Sequence, residues 1–305
     1  MAAIHLDGLV KQFGDVRALD GVDLSVRDGE IFGFLGPNGA GKSTTIDVLL
    51  DFVRPTSGTA TVLDMDAQAE STAIRARTGV LPEGYHLYDR LTGRQHVEFV
   101  RESKDLDVDP VAALERVGVA DAVDRRAGGY STGMKQRLML GMALVGDPDV
   151  LILDEPSSGL DPAGVRDVRE VVRDEAGDGT TVFFSSHILS QVEAVCDRVG
   201  ILRGGRVVAV DTVAGLRDAV GTDATLRVTV EGDPDRVEAG VDAVREVAGV
   251  TSVGRAGADV VVRVEDRGKI EALHALEDAG LAIRDFETQE ASLEELFLAY
   301  AEGDG

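Results

Sequence analysis

Between residues 4 and 35 apolar residues recur at strand spacing. The runs IHLDGLV (4–10), VRALDGVDLSV (16–26) with Leu19, Val22, Leu24 and Val26, and EIFGFLG (30–36) are parted by turns at Gly14 and at Asp28-Gly29. This pattern predicts a β-rich start. The third run passes directly into GPNGAGKST at 36–44, and STTIDVLLDFV (43–53) continues with helical period. From about 86 to 145 apolar residues fall three and four apart in GRQHVEFVRESKDL, DPVAALERVGV and KQRLMLGMALVG, which predicts helices. VLILDEP (150–156) and TTVFFSSH (180–187) are then continuous apolar runs of the kind that suit parallel strands covered on both faces.

Beyond 222 the pattern changes. TLRVTV alternates as a strand, 234–248 reads as a helix, VTSVGR and DVVVRVE as a strand pair, 267–279 as a helix and LAIRDFE as a strand, with a last helix in SLEELFLAYA. That β-α-β-β-α-β order is ferredoxin-like. The expected architecture is therefore an α/β domain over 1–221, doubly wound with a helical subdomain near 86–145, followed by a small α+β domain over 222–305. No repeat at solenoid period is present.

Three features carry chemistry. Residues 36–43 fit G-x-x-x-x-G-K-[ST] in the required strand, loop and helix context. In such a loop the backbone of Gly36, Pro37, Asn38, Gly39, Ala40 and Gly41 wraps the phosphates, Lys42 brings a charge to the β and γ positions, Ser43 ligates Mg²⁺, and Thr44 is expected to bind the nucleotide with them. VLILDE places Asp154 and Glu155 at the C-terminal edge of a buried strand, where α/β ligands bind. Adjacent acids aimed into one cleft call for a cation, so Asp154 is expected to hold the metal through water and Glu155 to polarise an attacking water. His187 follows TVFFSS, reaches the same edge, and is expected to hydrogen-bond the γ-phosphate and position Glu155. A second anion-seeking helix start, YSTGMKQR at 130–137, lies far from the first cradle in sequence.

Composition narrows the function classes. The chain has 305 residues, 44% of them hydrophobic, and a net charge of −24 from 55 acidic and 31 basic residues. Nonspecific binding to nucleic acid or anionic lipid through a basic surface is disfavoured. Only five of the basic residues are lysines and the acids are spread through every segment. That spread fits adaptation to a salty solvent, whose Debye length near 1 M is about 3 Å. The single cysteine, Cys196, excludes an internal disulfide and reads as a small apolar residue. No segment has the roughly 18 apolar residues of a membrane span, so the chain is expected to be soluble by itself.

GPNGAGKST, YSTGMKQR, LILDEPSSGLDP and SSH, in this order and spacing, resemble the Walker A, signature, Walker B with D-loop, and switch-histidine motifs of the ATP-binding cassette family. The resemblance covers about residues 3–220. It implies a P-loop NTPase with a RecA-like core, an antiparallel β subdomain and a helical subdomain, hydrolysing ATP with Mg²⁺. It further implies a head-to-tail homodimer in the ATP-bound state, in which Ser131 and Gly133 of one copy close over the γ-phosphate held by the other. Phe13 stands where the family stacks an aromatic on adenine, and Asp161 where it signals between the two sites. Glu83 in LPEGYHLY replaces the usual Q-loop glutamine, which leaves open whether it ligates Mg²⁺. LPE, Thr132, Met134 and the C-terminal SLEELFLAYA are similar to cassettes of drug and antibiotic exporters that pair with separately encoded ABC-2 type permeases. The implied function is an ATPase subunit on the cytoplasmic side of a membrane, energising export, with no nucleic-acid partner. The alternative, a soluble ABC-type ATPase of translation or DNA maintenance, is disfavoured by the single P-loop, the lack of a sustained heptad and the acidity.

Overall fold

The computed structural model describes residues 2–220, 224–257, 259–264 and 268–289. The chain divides into two compact units, residues 1–213 and 214–305. The division falls ahead of the pattern change at 222.

The first unit opens with a long hairpin, β1 (Ala2–Phe13) and β2 (Val16–Arg27), turned at Gly14 with φ 55°. It forms an antiparallel sheet with β4 (Ser57–Val62) and β5 (Met65–Asp66) in the order β2-β1-β4-β5. The second sheet has six strands: β3 (Ile31–Leu35), β6 (Thr78–Leu81), β7 (Val150–Asp154), β8 (Thr181–Ser186), β9 (Arg198–Arg203) and β10 (Arg206–Asp211). Their order is β10-β9-β3-β8-β7-β6, parallel except for β10. Every residue of β3, β7 and β8 is buried, the condition under which strands read as unbroken apolar runs. Leu35 lies beside Ser186, and Ser185 beside Asp154, so the three strands end along one edge.

Helices α1 (Lys42–Leu49) and α2 (Ser71–Arg77) follow β3 and β5. The region expected to be helical contains α3 (Gly93–Ser103), α4 (Pro110–Arg116) and α5 (Thr132–Leu144). Their starts are encoded locally. Thr92 and Gln95 form a reciprocal capping box, and Asp109 caps α4 ahead of Pro110. Beyond β7 come α6 (Pro162–Gly177) and α7 (Leu189–Glu193). The helix expected over 43–53 stops at Leu49: Asp51 takes φ 57°, and Pro55 disfavours helical backbone at Arg54. Phe52 is left 65% exposed as a result.

The second unit includes α8 (Val213–Val220) almost entirely, then β11 (Ala224–Glu231), α9 (Pro234–Arg245), β12 (Val250–Ala256), β13 (Asp259–Val264), α10 (Lys269–Asp278) and β14 (Ala282–Gln289). The strands form an antiparallel sheet in the order β12-β13-β11-β14, as the ferredoxin-like reading requires. Alternate residues of β11 (Leu226, Val228, Val230) pack with Val260, Val262 and Val264 of β13 and with Val237, Val244 and Leu276 of the helices. The helix expected over SLEELFLAYA lies outside the described residues.

Candidate active site

The loop between β3 and α1 is shaped by what its glycines permit. A Cβ on Gly36 would stand 2.5 Å from the Leu202 carbonyl oxygen, and one on Gly41 2.7 Å from that of Ala18. Gly41 also takes φ 112°, a conformation open to residues without a side chain. Because the N-cap of α1 is this glycine, no side chain accepts the helix's first N–H groups, which remain available to an anion. Lys42 is buried, and its Nζ donates to the carbonyls of Gly36 at 2.7 Å and Pro37 at 3.3 Å, spanning the loop from within. Outside it is a cleft of about 220 Å³ lined by Ala18, Asn38, Gly39, Gly41, Lys42, Ser43, Thr44 and Glu83.

The ends of β7 and β8 supply the rest. Asp154 is buried and its Oδ1 accepts from Ser185 Oγ at 2.7 Å. Glu155, just past the strand, has φ 50°, a conformation uncommon for a non-glycine residue and enriched at functional sites. Its Oε1 lies 3.8 Å from Lys42 Nζ and 2.8 Å from His187 Nδ1, while Oε2 accepts from Ser186 Oγ at 3.3 Å. Since a carboxylate only accepts, Nδ1 of His187 carries a proton, and Nε2 is the nitrogen left for a ligand. The carboxylate is 5% exposed and the imidazole 44%, so the pair runs from the interior to solvent. Burial, and then the Asp154 charge, hold the Asp47 carboxyl above the usual carboxylate range. The hydroxyl of Ser43 and the carboxylate of Asp154 are hard oxygen donors of the kind that fit Mg²⁺.

The other expected residues lie apart from this cleft. Phe13 ends β1, 47% exposed, with Lys11 Nζ 4.6 Å above its ring. Ser131 caps α5, its Oγ accepting from Met134 N at 3.2 Å, and it is exposed. Nothing lies within 4 Å of a Cβ placed on Gly133. Asp161 caps α6 through Gly164 N at 2.8 Å and is exposed too. Cys196 packs against Gly33, and burial pushes its thiol up. Sequence reasoning did not single out Ser185, Ser186, Asp47 or Ala18. Only the two serines left a trace, as polar residues ending an apolar strand.

Comparison with known proteins gives three kinds of likeness. A family model described as "ABC transporter" matches residues 19–158, and one described as "ATP-binding protein DrrA1-3-like, C-terminal domain" matches 212–301. The daunorubicin resistance ATP-binding protein DrrA3 of Streptomyces coeruleorubidus is 36% identical over 301 residues, spanning 97% of this chain and 95% of that protein. The daunorubicin/doxorubicin resistance ATP-binding protein DrrA of Streptomyces peucetius is 35% identical, spanning 97% of this chain and 92% of that one. A solved structure described as the ATP binding subunit of an ABC transporter aligns at a TM-score of 0.66 and 28% identity, covering 72% of this chain and 93% of that one.

Proposed function

The chain belongs to the family of ABC transporter ATP-binding proteins, and we propose that it hydrolyses ATP to drive export of a drug or antibiotic through a separately encoded ABC-2 type permease. The observation that carries the chemistry is the meeting of Lys42, Glu155 and His187, from three separate segments, at the rim of a cradle with free helix N–H groups. The drug-resistance names of the relatives support the direction of transport. Among the described residues no helix is long and apolar enough to cross a membrane; on this reading the permease supplies the pathway for the cargo.

In the proposed mechanism the loop N–H groups and Lys42 bind the β- and γ-phosphates, and Lys42 exchanges its carbonyl partners for phosphate oxygens. Glu155 orients a water for in-line attack and accepts its proton. The ion pair with Lys42 and the bond from His187 fix that carboxylate in place. With Nδ1–H given to Glu155, His187 donates to the γ-phosphate through Nε2 only as an imidazolium, which adds positive charge where negative charge develops. Mg²⁺, held by Ser43 and Asp154 with Glu83 facing the same cleft, would neutralise charge on the β- and γ-phosphates. Adenine stacks on the open face of Phe13, opposite Lys11. Ser131, exposed, and Gly133, half-buried with room for a Cβ, are absent from the cleft's lining and complete the site of a second copy in an ATP-bound homodimer, with Asp161 near the shared boundary.

The permease has a natural seat. An apolar groove of about 400 Å³ is lined by Phe52, Leu81, Tyr85, Phe99, Met139 and Met142, among others. Phe52 and Phe99 are 65% and 64% exposed there. Its wall continues through Pro82 to Glu83, which lines the phosphate cleft, so an element seated in the groove is coupled to the nucleotide through two adjacent residues. A permease loop in this groove places the chain at the cytoplasmic membrane face. The test is capture from native membranes with the tagged chain. A multi-span protein whose reconstitution raises ATP turnover is the expected result, and capture of ribosomes or DNA in its place refutes the transport reading.

A further inference from the structure

The groove's charge departs from that of the chain. Acidic residues outnumber basic ones 55 to 31 overall, yet the charged residues lining the groove are Arg75 and Lys104, with no Asp or Glu. Lys104, the C-cap of α3, is partly buried; its Nζ donates to the Thr78 carbonyl at 2.9 Å. Burial pushes its ammonium below the usual lysine range. Arg75 donates to the carbonyl of Leu50, the C-cap of α1, at 2.9 Å. Among the described residues neither has an ion-pair partner, whereas Arg77, two positions on, pairs with Asp149 at 2.8 Å. A partly desolvated ammonium with one carbonyl partner keeps N–H groups to spare and gains from a carboxylate that arrives with its own apolar cover.

Resting on the reading that this groove seats the permease, we propose that the seated permease segment carries an Asp or Glu that pairs with Lys104 while its apolar residues cover Phe52 and Phe99. The pairing selects among partners. An apolar segment without the carboxylate leaves Lys104 partly buried with one acceptor, and a basic one meets two like charges. It also reaches the nucleotide site, because Lys104 is tied to Thr78 at the head of β6, the strand that leads to Glu83, and Arg75 to the end of the P-loop helix.

The experiment measures binding of the full chain to the captured permease in lipid nanodiscs, with basal ATP turnover of each variant as the check on folding. Phe99→Asp tests the groove itself and is expected to weaken binding more than tenfold. Lys104→Glu is expected to weaken it about tenfold and Lys104→Met about threefold, all three keeping basal turnover. Exchange of one acidic residue in a cytoplasmic loop of the permease for Lys restores binding to Lys104→Glu. If Phe99→Asp loses binding while Lys104→Glu binds like the wild type, the groove stands and the charge pairing is overturned. If no acidic exchange in the permease rescues Lys104→Glu, the pairing is likewise overturned. If Phe99→Asp binds normally, the docking reading fails and the pairing with it.

Discussion

The two anion-seeking turns of this chain differ in how far each is finished. Around residues 36–44 everything is closed from within: glycines are pressed against Leu202 and Ala18, Lys42 is buried in its own loop, and Glu155 and His187 stand behind it. Around 130–137 the helix start has a side-chain cap, Ser131, which the P-loop helix lacks, and a Cβ on Gly133 would meet nothing within 4 Å. A glycine with room beside it, next to an exposed cap residue, suits a surface completed by another molecule. On the proposed function, the first turn is a site in one copy of the chain and the second is half of one.

Substitutions can break or sharpen that contrast. The largest effect is expected of Glu155→Gln, which should lower ATP turnover on the order of a hundredfold or more and accumulate an ATP-bound dimer on size-exclusion chromatography. Unchanged turnover would remove Glu155 from the base role. Ser131→Arg should cut turnover at least about tenfold while nucleotide affinity of the monomer stays within about twofold. Parallel loss of both, read by titration with a fluorescent nucleotide, would mean that the two turns serve one chain. The same change at the two glycines then separates packing from assembly. Gly36→Ala should destabilise by about 1–3 kcal/mol in denaturant titration, because its Cβ meets a backbone oxygen. Gly133→Ala should leave stability equal or raise it by up to about 1 kcal/mol, yet depress turnover of the dimer. Smallest is Glu83→Gln, expected to shift the Mg²⁺ concentration at half-maximal turnover by about two- to threefold with little change in the maximum. No shift at all would free Glu83 from the metal site.

Much of the fold was legible because its signals are local. The apolar runs of β3, β7 and β8 and each strand and helix of the second unit can be read within about a dozen residues. The helix over 43–53 was overextended because its apolar residues continue past Asp51, where a positive φ and then Pro55 end it. Of the candidate site, the residue types and the common strand edge followed from motif order. Their contacts did not. Nothing in the spacing says that His187 meets Glu155 through Nδ1, that Ser185 and Ser186 hold the two acids, or that Asp47 and Asp154 feel each other.

The sequence by itself determined the kind and order of most elements and which residues could handle a phosphate, since periodicity and glycine-rich loops act over neighbouring positions. Only the tertiary structure decided the strand order β10-β9-β3-β8-β7-β6 and the groove that gathers Phe52, Arg75, Phe99, Lys104 and Met142. Both depend on contacts between segments tens of residues apart, where burial of an entire sheet face and the pairing of distant strands outweigh any preference a single segment has of its own.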